Sequence, residues 1–314
     1  MSRYVINRVG QAVIVILAAT LLLYAMVYAM PGDPVRALVG EQRSSQLDEA
    51  TVAQIRARYN LDRPFLVQYG LYLKGVLSGD LGTTFSERPV TEIIAQALPV
   101  TFRVAVLTVL IQAIIGIGVG LIAGRRRGGL LDGSVMVVTM VLIGVPTFVS
   151  GYVIQYFLGV RWGWIKPTVS AQAEWSELIV PAAVLALGSM AFLIRFTRSG
   201  VSEALRADHV KTARARGLPE WQILISHVLR NALIPIVTVL GTEFGALLGG
   251  AIITEAVFNV PGYGQQVYQN IIRGESAPTV SLVIVMVVAF VLVNLIVDLL
   301  YAAINPKVRY VSHA

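Results

Sequence analysis

The chain of 314 residues contains no cysteine. That excludes disulfide frameworks, thiolate metal sites and cysteine nucleophiles, and it leaves the compartment open. Histidine is almost as scarce, and His209, His227 and His313 are too scattered for a His-rich metal site. Charge is sparse too: 14% of residues are Asp, Glu, Lys or Arg, where a soluble domain carries about a quarter. No G-x-x-x-x-G-K-[ST], H-E-x-x-H or G-x-S-x-G pattern occurs, so no catalytic site and no metal or cofactor site is predicted in this chain. The "GIGVG" at 116–120 sits inside an apolar run with no preceding strand and no following Lys, which excludes a nucleotide loop.

What fills the chain is apolar residue. The hydrophobic fraction is 56% and the mean hydropathy +0.71. Windows of about 20 apolar residues, enough to cross a ~30 Å hydrocarbon core as a helix, recur along it. They are continuously apolar rather than alternating, which excludes a β-barrel. An all-α integral membrane protein with six transmembrane helices is predicted, at roughly 9–30, 101–124, 134–160, 178–195, 233–257 and 279–304. The first run exceeds the ~7–15 apolar residues of a signal peptide and lacks an A-x-A cleavage site, so it reads as a retained span. Pro146 is predicted to kink the third span, and Pro181 stands at the start of the fourth.

The net charge of +7 would suit nucleic acid if it were gathered on a soluble face. Instead it tracks topology. Arg3 and Arg8, the triplet Arg125–Arg127, the run from Arg195 to Arg230, and Lys307 with Arg309 all fall on one side of the six spans. The short loops of the other side hold only Arg161, Lys166 and Arg273. By the positive-inside rule both termini are cytoplasmic, the chain is a multi-pass protein of a cytoplasmic membrane, and no nucleic-acid partner is expected.

Residues 1–30 thus form the N-terminus and first span, 31–97 an external segment, 98–305 a five-helix core, and 306–314 a cytoplasmic tail. The external segment has helical spacing over 46–59 through Leu47, Val52, Ile55 and Tyr59. A second helix opens near Pro64 with Phe65, Leu66, Tyr69, Leu71, Tyr72 and Leu73. A small helical cap between the first two spans is predicted, because this apolar content is too high for a disordered linker.

Ionisable and polar groups at membrane depth mark function by default. Glu243 lies about ten residues into the fifth predicted span, and Asn294 and Asp298 share a face of the sixth. Gln112 and Gln155 lie in the second and third. One reading lines a hydrated translocation pathway with Glu243, Gln155 and Asn294; the other makes these groups interhelical hydrogen bonds. Asp298, near the cytoplasmic end, favours the second, and Glu243 leaves both open. Gly116, Gly120 and Gly124, and likewise Gly241, Gly245 and Gly249, recur every four residues and are predicted to let helices approach closely.

Between the fourth and fifth spans lies "RADHVKTARARGLPEWQILISH", 206–227. Gly217 suits a helix stop and Pro219 the first turn of a second helix. On one face Val210, Ala213 and Gly217 form a small-residue stripe, rimmed by Arg206, Lys211, Arg214 and Arg216. Such a stripe fits a groove on a partner protein, and equally a basic amphipathic helix lying on lipid headgroups.

With its flanks, "ALRADHVKTARARGLPEWQILISHVLRNALIP" resembles the EAA loop of ATP-binding-cassette (ABC) importer permeases, in the form found in the dipeptide/oligopeptide/nickel branch. The usual E-A-A-x-x-x-G falls on Lys211-Thr212-Ala213 and Gly217, and keeps only the second Ala and the Gly. "MPGDPV" (30–35), "YNLDRPFLVQYGLYLKGVLSGDLGTTF" (59–85), "PVTEIIAQALPVTFRVA" (89–105), "LIRFTRSGV" (193–201), "EAVFNVPGYGQQVYQNIIRGE" (255–275) and "VDLLYAAINPKVRY" (297–310) carry the same resemblance in family order. The family ending more often has Asp at Asn305 and Arg at Lys307.

The resemblance implies the type I ABC importer permease fold and one half of a transmembrane pore. The other half is a second homologous permease. Two cytoplasmic ATPase subunits hold ATP and Mg, and an extracytoplasmic binding protein delivers di- or oligopeptides, or nickel or glutathione-like solutes. In that scheme Arg206, Val210, Lys211, Ala213, Arg214, Gly217 and Leu218 (loop 201–232) contact the ATPase. Pro261, Gly262 and Tyr263 of "NVPGYGQQ" (259–266) gate the external mouth. A secondary transporter would instead place coupling charges at the midplane, where only Glu243 is roughly central. An intramembrane enzyme would need Asp298, Glu243 or His227 to converge.

Overall fold

The computed structural model describes residues 2–28, 35, 47–58 and 60–304, and they are helical almost throughout. The expected tail at 306–314, the "MPGDPV" stretch up to residue 34, and 36–46 of the cap lie outside the described residues. Thr83 and Pro89 form an isolated bridge, and no strand occurs among the described residues. The chain divides into two compact units, 1–101 with 261–292 and 102–260 with 293–314.

In the first unit, α1 (Ser2–Tyr28) meets the cap helices α2 (Glu49–Arg58) and α3 (Phe65–Leu77). The contact is aromatic. Tyr24 and Tyr28 stack with centroids 4.1 Å apart, and Tyr24 also meets the rings of Phe65, Tyr69 and Tyr72 at 5.8, 5.7 and 5.1 Å. Leu47, Val52 and Ile55 of the first predicted cap helix pack on the same cluster. Amphipathic spacing and an aromatic face thus fold the segment onto the end of α1 rather than leaving it loose. The unit also holds the start of α4 (Val90–Ile111), α13 (Tyr263–Ile272) and most of α14 (Ser276–Ile304).

In the second unit α4 passes through a π turn, Gln112–Gly116, into α5 (Ile117–Arg125). Next come α6 (Leu130–Gly144), α7 (Thr147–Ile154) with a π turn Gln155–Arg161, and the long α8 (Trp175–Ala204). The loop helix α9 (Asp208–Ala215) precedes α10 (Glu220–Ile223), a π turn Leu224–Leu229, α11 (Arg230–Gly250) and α12 (Ile252–Val257). Buried Leu178, Ala182, Val184, Ala186, Ala191, Leu193, Ile194 and Val201 make α8 the central element.

The four-residue glycine spacing does what it predicted. A Cβ at Gly120 would stand 2.6 Å from Thr197 Cβ and 2.8 Å from the Ile194 carbonyl oxygen, so α5 and α8 meet backbone to side chain. On α11, a Cβ at Gly241 would fall 2.8 Å from Val297, and one at Gly245 would fall 3.1 Å from Asn294 Nδ2, both on α14. The surroundings of Gly249 lie outside the described residues.

Among the described residues, four helices are long and apolar enough to cross a membrane: Val5–Met26, Val90–Arg125, Trp175–Ala204 and Ser276–Leu300. The predicted third span is not kinked but broken. Leu130–Gly144 and Thr147–Arg161 meet at 97°, because Val145 is extended and Pro146 caps the next helix instead of continuing the first. Pro181 lies nearly two turns inside α8 and not at its start. The predicted fifth span corresponds to α11, whose described apolar stretch, Ile236–Leu248, is short for a crossing. Six crossings therefore remain the sequence expectation; the long helices and the broken pair account for up to five.

Candidate functional site

The loop after α8 folds as its punctuation dictates. Gly217 adopts φ +75°. Its N–H donates to the Arg214 carbonyl at 2.9 Å, and the Leu218 N–H donates to Ala213 at 3.3 Å. These are the paired bonds of a helix ended by a left-handed residue, with Leu218 folding back onto the core. Pro219 then caps α10.

The two faces of α9 are sharply different. Val210 and Ala213 are buried, packed with Val201, Ile223 and Val228 and against Ala204, Leu205 and Leu218. This corrects the expectation that the small stripe is offered to a partner. Small residues at that spacing let α9 lie close on its own chain, and only Gly217, at the end of the stripe, is exposed. The outward surface is Arg206, His209, Lys211, Thr212, Arg214, Ala215 and Arg216. Lys211 Nζ lies 2.8 Å from Asp208 Oδ1, and Arg214 Nε lies 2.8 Å from Glu220 Oε1. The Arg214 guanidinium, helped by the more distant Arg125, holds the Glu220 carboxyl below its usual range. Both pairs are exposed, so they orient side chains more than they stabilise the fold. Arg206 and Arg216 make no ion pair among the described residues, and the exposed face of α9 is cationic.

Immediately upstream lies a cluster that sequence reasoning missed. The Asp132 carboxylate, in the first turn of α6, is gripped by Arg198 of α8 through Nε and through Nη2 at 2.6 Å, and it accepts the Gly128 N–H at 2.8 Å. The two partners are 66 residues apart in sequence. The available signal was a lone Asp beside the triplet Arg125–Arg127, with Arg198 at the start of the basic run that follows the fourth span.

The expected pathway residues are spread over three elements: Gln155 opens the π turn after α7, Glu243 lies on α11 and Asn294 on α14. Both amide hydrogens of Gln155 are committed, to the carbonyls of Pro167 at 2.8 Å and Val257 at 2.9 Å. Its side chain therefore staples the end of α7 to the end of α12. Asn294 packs across Gly245 at the α11–α14 contact. Glu243 is half-buried on α11 and has no hydrogen-bond or ion-pair partner among the described residues. Gln112 donates to Ser189 Oγ at 2.7 Å, an interhelical bond of the second kind expected.

In the first unit, Gly262 caps α13, and Pro261 precedes it half-buried. Tyr263 is buried. Its N–H donates to Thr101 Oγ1 and its hydroxyl to the Leu282 carbonyl, both at 2.7 Å. The three expected gate residues thus form a tied helix start.

Comparison with known proteins matches this architecture. Residues 116–310 fit the family described as binding-protein-dependent transport system inner membrane component, and residues 1–105 fit its N-terminal family. The glutathione transport system permease protein GsiC of Salmonella paratyphi A is 35% identical over 99% of this chain and 100% of its own length. Its counterpart in Pectobacterium atrosepticum is 36% identical, with the same coverage of both chains. A solved structure of the MetNI methionine ABC transporter in inward-facing conformations aligns at TM-score 0.56 and 18% identity, covering 68% of this chain and 96% of that one. That structure supports the fold. The helical architecture, the two family matches that together span nearly the whole chain and the relatives matched over their full length lead to one assignment: the chain belongs to the binding-protein-dependent transport system inner membrane components, the permease components of ABC importers.

Proposed function

We propose that this chain is one of two permease halves of an importer for short peptides of the glutathione class. The single observation that carries the solute is the full-length similarity, at 35–36% identity, to permeases named for glutathione transport. Glutathione is itself a modified tripeptide, so this reading narrows the wider di- and oligopeptide reading without leaving it. A second permease completes the pore, an extracytoplasmic binding protein delivers the solute, and ATP with Mg is bound and hydrolysed on two separate cytoplasmic subunits. The exposed cations of α9, Arg206, Lys211, Arg214 and Arg216, meet those subunits, with Gly217 at the edge of the contact. Val210, Ala213 and Leu218 act one layer behind, by fixing α9 to the helices it moves. Both termini face the cytoplasm.

Uptake of labelled glutathione, a dipeptide, a tetrapeptide and nickel by a strain lacking this gene tests the solute. Loss of glutathione uptake, restored by the gene on a plasmid, is the expected result. Intact glutathione uptake with lost dipeptide or tetrapeptide uptake moves the assignment to those peptides. Loss of nickel uptake alone overturns the peptide class.

A further inference from the structure

Three polar contacts fasten α6 and the turn before it to one stripe of α8. Asp132, whose side chain is 4% exposed, holds Arg198 in a two-pronged grip. Arg127 Nη1 donates to Ser202 Oγ at 3.2 Å, and Arg195 Nε donates to Thr139 Oγ1 at 3.0 Å. Residues 195, 198 and 202 share one helix face.

Adhesion alone does not require an ion pair here. Taking both charges out of water offsets much of their attraction, and apolar side chains of similar volume hold such contacts as well. What the planar, two-pronged geometry adds is register: it fixes how α6 sits along and around α8. The position of the pair gives that register a use. α8 ends at Ala204, and α9 begins at Asp208. Val210 and Ala213 are packed in one cluster with Val201, against Ala204 and Leu205, so the last turns of α8 and the inner face of α9 are a single packed body.

We infer that Asp132 and Arg198 are the fastener through which displacement of α9 reaches α6, and with it the broken pair α6–α7. The inference rests on α9 being the contact for the ATP-hydrolysing partner. Both residues are positioning residues: their contacts run between helices of this chain.

The test uses the complete transporter in lipid vesicles and reads solute imported per ATP hydrolysed. Asp132→Asn keeps the volume and removes the charge. It is expected to assemble and hydrolyse ATP while import per ATP falls about tenfold. The exchange Asp132→Arg with Arg198→Asp is expected to recover part of that ratio. A purely structural pair would lower the amount of complex and both activities together, and an unchanged ratio in Asp132→Asn overturns the inference.

A second measurement reads geometry instead of transport. The chain has no cysteine, so spin labels at Ser134→Cys on α6 and Thr212→Cys on α9 report one distance. That distance should stay constant through the ATP cycle in the otherwise unaltered protein and spread in Asp132→Asn. A nucleotide-dependent change in the unaltered background overturns the fastener, whatever α9 touches. Normal import by a variant altered on the outer face of α9 defeats the docking reading separately and leaves the label pair to decide the fastener.

Discussion

Two demands meet at Gly217, and a change of side chain separates them. Its backbone is left-handed at φ +75°, which costs an alanine about 1 kcal/mol. Yet a Cβ there would meet nothing within 4 Å, so this chain has no steric objection to a side chain. Asparagine tolerates the left-handed conformation far better than alanine. Gly217→Asn should therefore keep the helix end and reach the membrane in wild-type amount. If α9 docks in a groove, the same side chain obstructs it, and uptake should fall by about tenfold, a coupling loss of the size seen at packed contacts. Gly217→Ala should lose stability as well. Membrane-fraction abundance and solute uptake, measured together, separate the two. Wild-type uptake by Gly217→Asn would remove this residue from the docking contact.

At the scale of elements, the break at Pro146 has a measurable length. Between positions 134 and 156, a straight helix would separate its axis points by about 33 Å, whereas the observed 97° bend brings them to about 22 Å. Proline removes a backbone donor and forces Val145 to an extended conformation. Pro146→Leu should therefore lengthen the distance between labels at Ser134→Cys and Tyr156→Cys and reduce uptake. No change in distance would mean that packing against α8 and α12, not the proline, sets the bend.

Proline and glycine act through local backbone chemistry, so the break at Pro146, the stop at Gly217 and the close approaches at Gly116, Gly120 and Gly241 were all legible. The sense of the α9 stripe was not. A small-residue face rimmed by cations reads the same whether it points toward a partner or back onto its own core, and only tertiary packing decides that Val210 and Ala213 point inward. Gln155 illustrates the same limit. Its polarity in an apolar run was visible, but its acceptors at Pro167 and Val257 were brought to it by the fold. The Asp132–Arg198 pair stayed hidden because charges that close a contact across 66 residues look, in sequence, like loop and orientation signals.

For the whole molecule, the question with the most consequence is which side of the membrane each loop occupies. The cations cluster in the triplet Arg125–Arg127, which ends α5, and between Arg195 and Arg230 around α9. The loop between α7 and α8 contributes Arg161 and Lys166, and Lys166 is paired with Glu177 at 2.6 Å. By the positive-inside rule, α9 is expected inside and both the cap and the 162–174 loop outside. Single cysteines introduced into this cysteine-free chain test each placement without background. Arg63→Cys, in the loop between α2 and α3, and Gln172→Cys, before α8, are exposed positions expected to react with a membrane-impermeant maleimide from outside intact spheroplasts. Arg126→Cys and Thr212→Cys, also exposed, should react only in inverted vesicles. If Thr212→Cys is labelled from outside, α9 cannot meet an ATP-hydrolysing partner in the cytoplasm, and the reading of this loop as the point where ATP moves the permease fails with it. If Gln172→Cys is labelled only from inside, the broken pair α6–α7 returns to its starting side instead of crossing, and the near-right-angle bend at Pro146 marks a re-entrant hairpin.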